Sequence, residues 1–128
     1  MTARFDALGV VVSDIPRALA FYRRLGLEFA EGAESEQHVE ATLPGGIRFM
    51  LDAEDVIRSF DSEWQRPTGS SIGLAFLCDS PADVDAVHAD LTAAGYESQK
   101  EPWDAFWGQR YAQVRDPDGH VVDLFASL

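Results

Sequence analysis

The chain has 128 residues, 46% of them apolar, and sets ten Lys and Arg against 22 Asp and Glu for a formal charge of −12. That length suits one domain with a real core, and no apolar run approaches the about 18 residues a membrane span requires. The charge repels phosphate backbones and anionic lipid, so nucleic acid and membrane are excluded as partners and neutral or cationic ones are favoured, although an acidic surface also simply keeps proteins soluble.

A single cysteine, Cys78, excludes an internal disulfide and fits a reducing cytoplasm, the expected location. Residues 1–6 carry no apolar stretch with a basic flank, so no signal peptide is expected.

In chain order, Val10-Val11-Val12 is a short β-favouring run. Asp14 can cap a following helix, and Pro16 fits its first turn, where no donor is needed. Ala18, Phe21, Tyr22 and Leu25 recur at helical spacing, and Gly26 can end the helix in a left-handed conformation. Residues 36–43 alternate at their apolar end, Pro44-Gly45-Gly46 reads as a turn, and residues 47–51 are apolar apart from Arg48. Residues 53–70 read as a linker in which Val56 to Phe60 could form a short helix.

The pattern then repeats. Leu74 to Leu77 is a β run, Ser80-Pro81 opens a helix through Leu91 with Val84, Val87, Leu91 and Ala94 on one stripe, and Gly95 stops it. Gln109 to Arg115 alternates polar with apolar, Asp116-Pro117-Asp118-Gly119 is a turn, and Val121 to Phe125 closes the chain. Each half reads β-α-β-β-β. The expectation is a single α+β domain of two modules, about 5–52 and 71–127, joined by linker 53–70. Two copies of about 50 residues share a core; a solenoid would need three or more.

Residues 12–27, with the run Ser13-Asp14-Ile15-Pro16-Arg17-Ala18, and residues 115–125, with Asp116-Pro117-Asp118-Gly119-His120, resemble the two signature segments of the vicinal oxygen chelate superfamily. That group includes glyoxalase I, extradiol dioxygenases, fosfomycin-resistance enzymes and the bleomycin-resistance binding proteins. The resemblance covers nearly the whole chain. It implies two βαβββ modules whose sheets curve around a shared cleft, which in the enzymes holds a divalent metal bound mostly by His and Glu. One fold hosts many chemistries, so function must come from the site.

Carried over by the motifs, the resemblance puts the four ligand positions at Ala7, Gly73, Asp123 and Phe49, with Met50 the neighbouring alternative to Phe49. Only Asp123 could bind a cation, and one carboxylate cannot satisfy four to six coordination sites. No metal site and no cofactor are therefore expected. The three histidines read as bland: His38 as part of a solvated edge with Glu36 and Glu40, His88 beside Asp85 on an exposed helix face, and His120 after a turn.

Trp103, Phe106 and Trp107 fall together in the loop and strand start before Arg110 and Tyr111, with Phe60 and Trp64 in the linker. Aromatic faces stack planar ligands and attract cations. With Phe49, Met50 and Asp123 they make the expected ligand-binding set, Asp123 being a counter-charge with Arg110 or a cationic ligand near it. The leading expectation is a metal-independent binding protein that sequesters a small planar molecule, an aromatic or cationic compound such as an antibiotic. The alternative is a lyase or isomerase without standard ligands, with Asp123 as base and Arg110 or Tyr111 steadying an anion. By resemblance the partner is a second copy in a homodimer.

Overall fold

A computed structural model describes residues 2–128, so Met1, where the leader reading begins, lies outside the described residues. The chain divides into two compact units, Met1–Arg66 and Pro67–Leu128, with the boundary inside the expected linker. The architecture is mixed α+β with one open sheet in each unit. Among the described residues no helix is long and apolar enough to cross a membrane.

The first unit comprises strand β1 (Ala7–Val12), helix α1 (Ile15–Arg24), strands β2 (His38–Thr42) and β3 (Arg48–Ala53), and short helix α2 (Glu54–Arg58). Its sheet has the order β1-β3-β2, with β1 parallel and β2 antiparallel to the central β3. The second unit comprises β4 (Leu74–Leu77), helix α3 (Pro81–Ala93), β5 (Ser98–Ala105), β6 (Gln109–Arg115) and β7 (Val121–Ser127), ordered β4-β7-β6-β5.

The two halves start alike. Asp14 Oδ1 accepts from the Arg17 amide at 2.8 Å, and Ser80 Oγ accepts from the Asp83 amide at 3.2 Å, each satisfying a free donor of its helix. Both helices also end alike. Gly26 (φ +93°) and Gly95 (φ +101°) sit one residue past the C-cap, and the amides of Leu27 and Tyr96 reach back to the carbonyls of Tyr22 and Leu91 at 3.1 Å. That double closure needs the left-handed conformation that glycine adopts most easily.

The halves then diverge. In the second, β5 follows the helix and pairs with β6. In the first, residues 27–35 hold a 3-10 turn (Ala33–Ser35) where the equivalent strand of a full βαβββ module would run. Glu28, Glu31 and Glu34 with Gly32 are poor strand formers. Arg23 fastens the segment by donating to Glu34 Oε2 at 2.6 Å and to the Ala30 carbonyl at 3.1 Å.

Each core lies between a helix and one face of its sheet. In the first unit Ile15, Ala18, Leu19, Phe21 and Tyr22 are buried with Val10, Val12, Phe49 and Leu51. In the second, Val84 and Leu91 are buried with Ala112, Val114, Val122, Leu124 and Ala126. His88 belongs to that core, correcting its assignment to an exposed helix face: it follows Val84 by one turn, and its Nε2 lies 2.8 Å from Ser98 Oγ. Asp85, the partner expected for it, instead binds Arg110. Leu124 is fully buried, so Leu124→Ala should lower the unfolding free energy by about 2–5 kcal/mol. Urea denaturation followed by circular dichroism measures that loss.

Candidate functional site

Strand alternation decides which residues stand on the face of each sheet that its helix does not cover. In the second sheet that open face holds two cross-strand rows: Trp103, Tyr111, Phe125 and Leu77, then Lys100, Gln113, Asp123 and Ala75. Asp123 is the centre of the polar row. Its Oδ2 accepts from the Tyr111 hydroxyl and its Oδ1 from Gln113 Nε2 at 2.8 Å. Burial first, and the Asp123 carboxylate second, push the Tyr111 phenol up to about 12, so it keeps its proton at neutral pH. Among the described residues no cation lies within ion-pair reach of Asp123, whose bonds come from neutral donors.

The aromatic row forms a wall beside that carboxylate. Trp103 meets Tyr111 edge-on at 5.6 Å between centroids and Trp107 at 5.9 Å, while Trp107 meets Tyr111 at 5.3 Å. Phe125 stacks on Tyr111 at 6.2 Å. The Lys100 ammonium sits 5.0 Å over the Trp103 ring, a cation already held by this surface. Phe106, at the tip of the β5–β6 hairpin, packs edge-on against Trp107 but is 97% exposed.

Five expected site residues stand elsewhere: Arg110 on the other face of the second sheet, and Phe49, Met50, Phe60 and Trp64 in the first unit. Arg110 is next to Tyr111 on β6 and so projects to the opposite face, where it binds Asp85 at 3.0 and 3.3 Å and Asp104 at 3.2 Å. It cannot be the counter-ion or anion stabiliser beside Asp123. Phe49 is 2% exposed and packs on Tyr22 at 5.0 Å, so it is core. Met50, one residue on, takes the open face, paired with Gly9 as Asp123 is paired with Ala75. Phe60 is 75% exposed in the first unit. Trp64, also in the first unit, lies under the Arg58 guanidinium at 5.0 Å. Trp103 is in a strand rather than a loop. Pro102 and a register shift beside it disguise β5, an edge strand where a missing N–H is tolerated.

The first sheet's open face is polar, and the sequence reading missed it. His38 and Asp52 face each other across β2 and β3, and Glu40 pairs with Met50 in the next row. His38 Nδ1 lies 2.5 Å from Asp52 Oδ1 and Nε2 lies 2.7 Å from Glu40 Oε2. Arg48 donates to Glu40 at 2.6 Å and to Asp6 at 2.6 and 3.2 Å. His38 is therefore part of a charge chain and not of a bland edge. Only the imidazolium can donate from both ring nitrogens. The bonds to Glu40 and then Asp52 raise its pKa above the ordinary 6.5.

Of the residues at the resembling metal positions, Ala7 opens β1, Gly73 precedes β4, and Met50 and Asp123 occupy matching places in β3 and β7. That donor set offers one carboxylate and one thioether. Among the described residues no group of three or more His, Cys, Asp and Glu could hold a metal ion. The residues present do not fit the metal of the family's enzymes.

A sequence profile of the Glyoxalase/Bleomycin resistance protein/Dioxygenase superfamily matches residues 4–124. The chain belongs to that superfamily. It is 25% identical over 122 residues to the uncharacterised protein YraH of Bacillus subtilis (strain 168), covering 93% of this chain and 94% of YraH. Its fold is similar to a superfamily enzyme from Burkholderia phytofirmans PsJN, with a TM-score of 0.84 at 21% identity over 98% of this chain and 100% of the other. A protein of unknown function from Agrobacterium tumefaciens str. C58 gives a TM-score of 0.75 at 29% identity, covering 100% and 97%. The two solved structures share the scaffold with this chain, and a shared scaffold does not fix the function.

His38 sets a pH dependence. Its folded pKa is raised, so its contribution to stability is fully present below its unfolded value of about 6.5 and is lost as pH rises through the higher folded value. Wild type should exceed His38→Gln in urea midpoint at acidic pH, and the gap should close in alkali. A gap that is constant with pH would show that His38 does not hold its extra proton in the folded state.

Proposed function

We propose that the open face of the second sheet binds a planar, cationic small molecule without a metal, so that the protein sequesters its ligand rather than transforming it. The observation that carries this reading is the aromatic wall of Trp103, Trp107 and Tyr111 beside a carboxylate bonded only to neutral groups. The rings supply flat contact and attract positive charge by about 0.5–2 kcal/mol each. Asp123 supplies the opposite charge at a fixed place, because Tyr111 and Gln113 hold both of its oxygens. An antibiotic of suitable shape is one such ligand. A cytoplasmic homodimer completes the proposal, supported by the lone free cysteine and the exposed Phe106 and Trp107.

A second reading is favoured by the Tyr111 to Asp123 hydrogen bond, which pairs a protonated phenol with a carboxylate on a ligand-facing surface. In that reading Asp123 removes a proton from a carbon acid and Tyr111 donates to the oxygen that gains charge, as in a lyase or isomerase.

The test is a tryptophan-fluorescence titration with acridinium and isoquinolinium cations and their uncharged ring analogues, on protein dialysed against chelator. The cations should quench Trp103 and Trp107 emission saturably. Trp103→Ala should weaken binding about tenfold for both ligand classes, whereas Asp123→Asn should weaken the cations about tenfold and spare the neutral analogues. Equal losses for both classes in Asp123→Asn would remove the counter-charge role. Catalytic turnover that Asp123→Asn abolishes would replace sequestration with the second reading.

A further inference from the structure

On the first sheet, two cationic donors converge on a single oxygen. Glu40 Oε2 lies 2.7 Å from His38 Nε2 and 2.6 Å from Arg48 Nη1. Both donors are fastened from behind, His38 by Asp52 at 2.5 Å and Arg48 by Asp6 at 2.6 Å. The anchor of the imidazole is the better buried of its two carboxylates: the Asp52 side chain is 14% exposed and that of Glu40 36%. Of the two carboxylates on the imidazole, Glu40 is thus the one that can swing into water, leaving the two donors aimed at the place it vacates, while Asp6, the most exposed member of the chain at 57%, still faces Arg48.

The ground beside that place is open. Glu40, Met50 and Gly9 form one cross-strand row. Gly9 is bare backbone, and a Cβ built there would meet Met50 Cε at 3.4 Å. A small ligand would therefore rest on a flexible thioether and a glycine, with one oxygen between two charged N–H groups. Two such donors on one oxygen are the arrangement that holds a carboxylate or a developing oxyanion.

We propose that the position of Glu40 Oε2 is an oxyanion site for a small carboxylate ligand, and that Glu40 is its built-in occupant, displaced when the ligand binds. The chain's charge of −12 opposes the approach of any anion. That repulsion is screened beyond about 10 Å at ordinary salt, whereas the two donors act at contact, so a small carboxylate can still be held. The site uses none of the residues of the aromatic wall, so it stands or falls independently of the binding proposed for the second sheet.

Removal of the occupant tests the inference. Sodium acetate is titrated into wild type and Glu40→Thr, a substitution suited to a strand, with sodium chloride at matched ionic strength as control. The His38 ring and Arg48 guanidinium NMR signals are followed. Acetate should shift both signals saturably in Glu40→Thr, at least about tenfold more tightly than in wild type, the effect of freeing a charge-assisted hydrogen-bond pair. Adding His38→Gln to Glu40→Thr should abolish the tight binding. Glu40→Gln keeps the side chain's size without its charge, should tighten binding in the same direction, and serves if Thr disturbs β2. Signals that acetate moves no more than chloride does, equal affinity in wild type and variant, or tight binding that survives His38→Gln would overturn the proposal.

Discussion

The period-two alternation of strand side chains is the constraint on which both halves of this protein depend. Each sheet packs one long helix on one face, and the apolar residues at every second position of β3 and β7 are consumed in closing that face. The intervening positions are left without a helix. In β3 those are Arg48, Met50 and Asp52; in β7 they are Val121, Asp123 and Phe125. Polar groups there need no burial in a core, but they must find hydrogen-bond partners on their own face. Asp123 finds Tyr111 and Gln113, and Asp52 finds His38. The polar chemistry of both open faces is thus a consequence of the same backbone geometry that builds the core.

Much of this was legible from the sequence, because the signals were local. Asp14 and Ser80 as caps, Gly26 and Gly95 as stops, and β6 from Gln109 to Arg115 depend on spacing and turn chemistry within a few residues. What failed was anything requiring knowledge of which face a side chain takes. Arg110 and Tyr111 were placed in one site although adjacent strand residues must diverge, an error that alternation alone could have prevented. Phe49 against Met50 was harder, since the register of β3 against β1 had to be known before the pair could be separated. Asp52 shares a face with Met50 two residues earlier, so the placement of Met50 fixes that of Asp52 as well. His38 has one partner close in sequence, Glu40, but the other, Asp52, is 14 residues away and comes opposite it only through the β2–β3 register. The strand containing Trp103 was hidden by Pro102, whose cost to a ladder disappears at a sheet edge.

The two halves use equivalent positions for different chemistry. Met50 opposite Gly9 and Asp123 opposite Ala75 occupy the same register place on a central strand, parallel to the first strand of their unit. In the second unit the carboxylate sits at that place and aromatic rings flank it. In the first unit the place itself is a thioether, and the charges stand in the rows on either side of it, as His38 with Asp52 and as Arg48. The difference extends to the sheet's width. Without a strand equivalent to β5, the first sheet has no place for an aromatic row like that of Trp103, and β2 becomes its edge. Charged residues on an edge strand also discourage pairing with other strands. His38 and Glu40, which stand on that edge strand, therefore have a structural role as well as the ligand role proposed for their chain.

This division bears on how a family scaffold can change function. A metal requires several donors at fixed positions, so losing any two of them removes the chemistry altogether. An aromatic wall tolerates change better, because each ring contributes a fraction of the contact and shape is supplied by the sheet. The resemblance puts Ala7, Gly73 and Met50 at positions that would need strong donors for metal chemistry, whereas the second sheet sets aromatic rings beside a carboxylate held by Tyr111 and Gln113. The scaffold supports binding as soon as one face offers area and one charge. Catalysis would require, in addition, that Tyr111 and Asp123 exchange a proton with the ligand rather than only with each other.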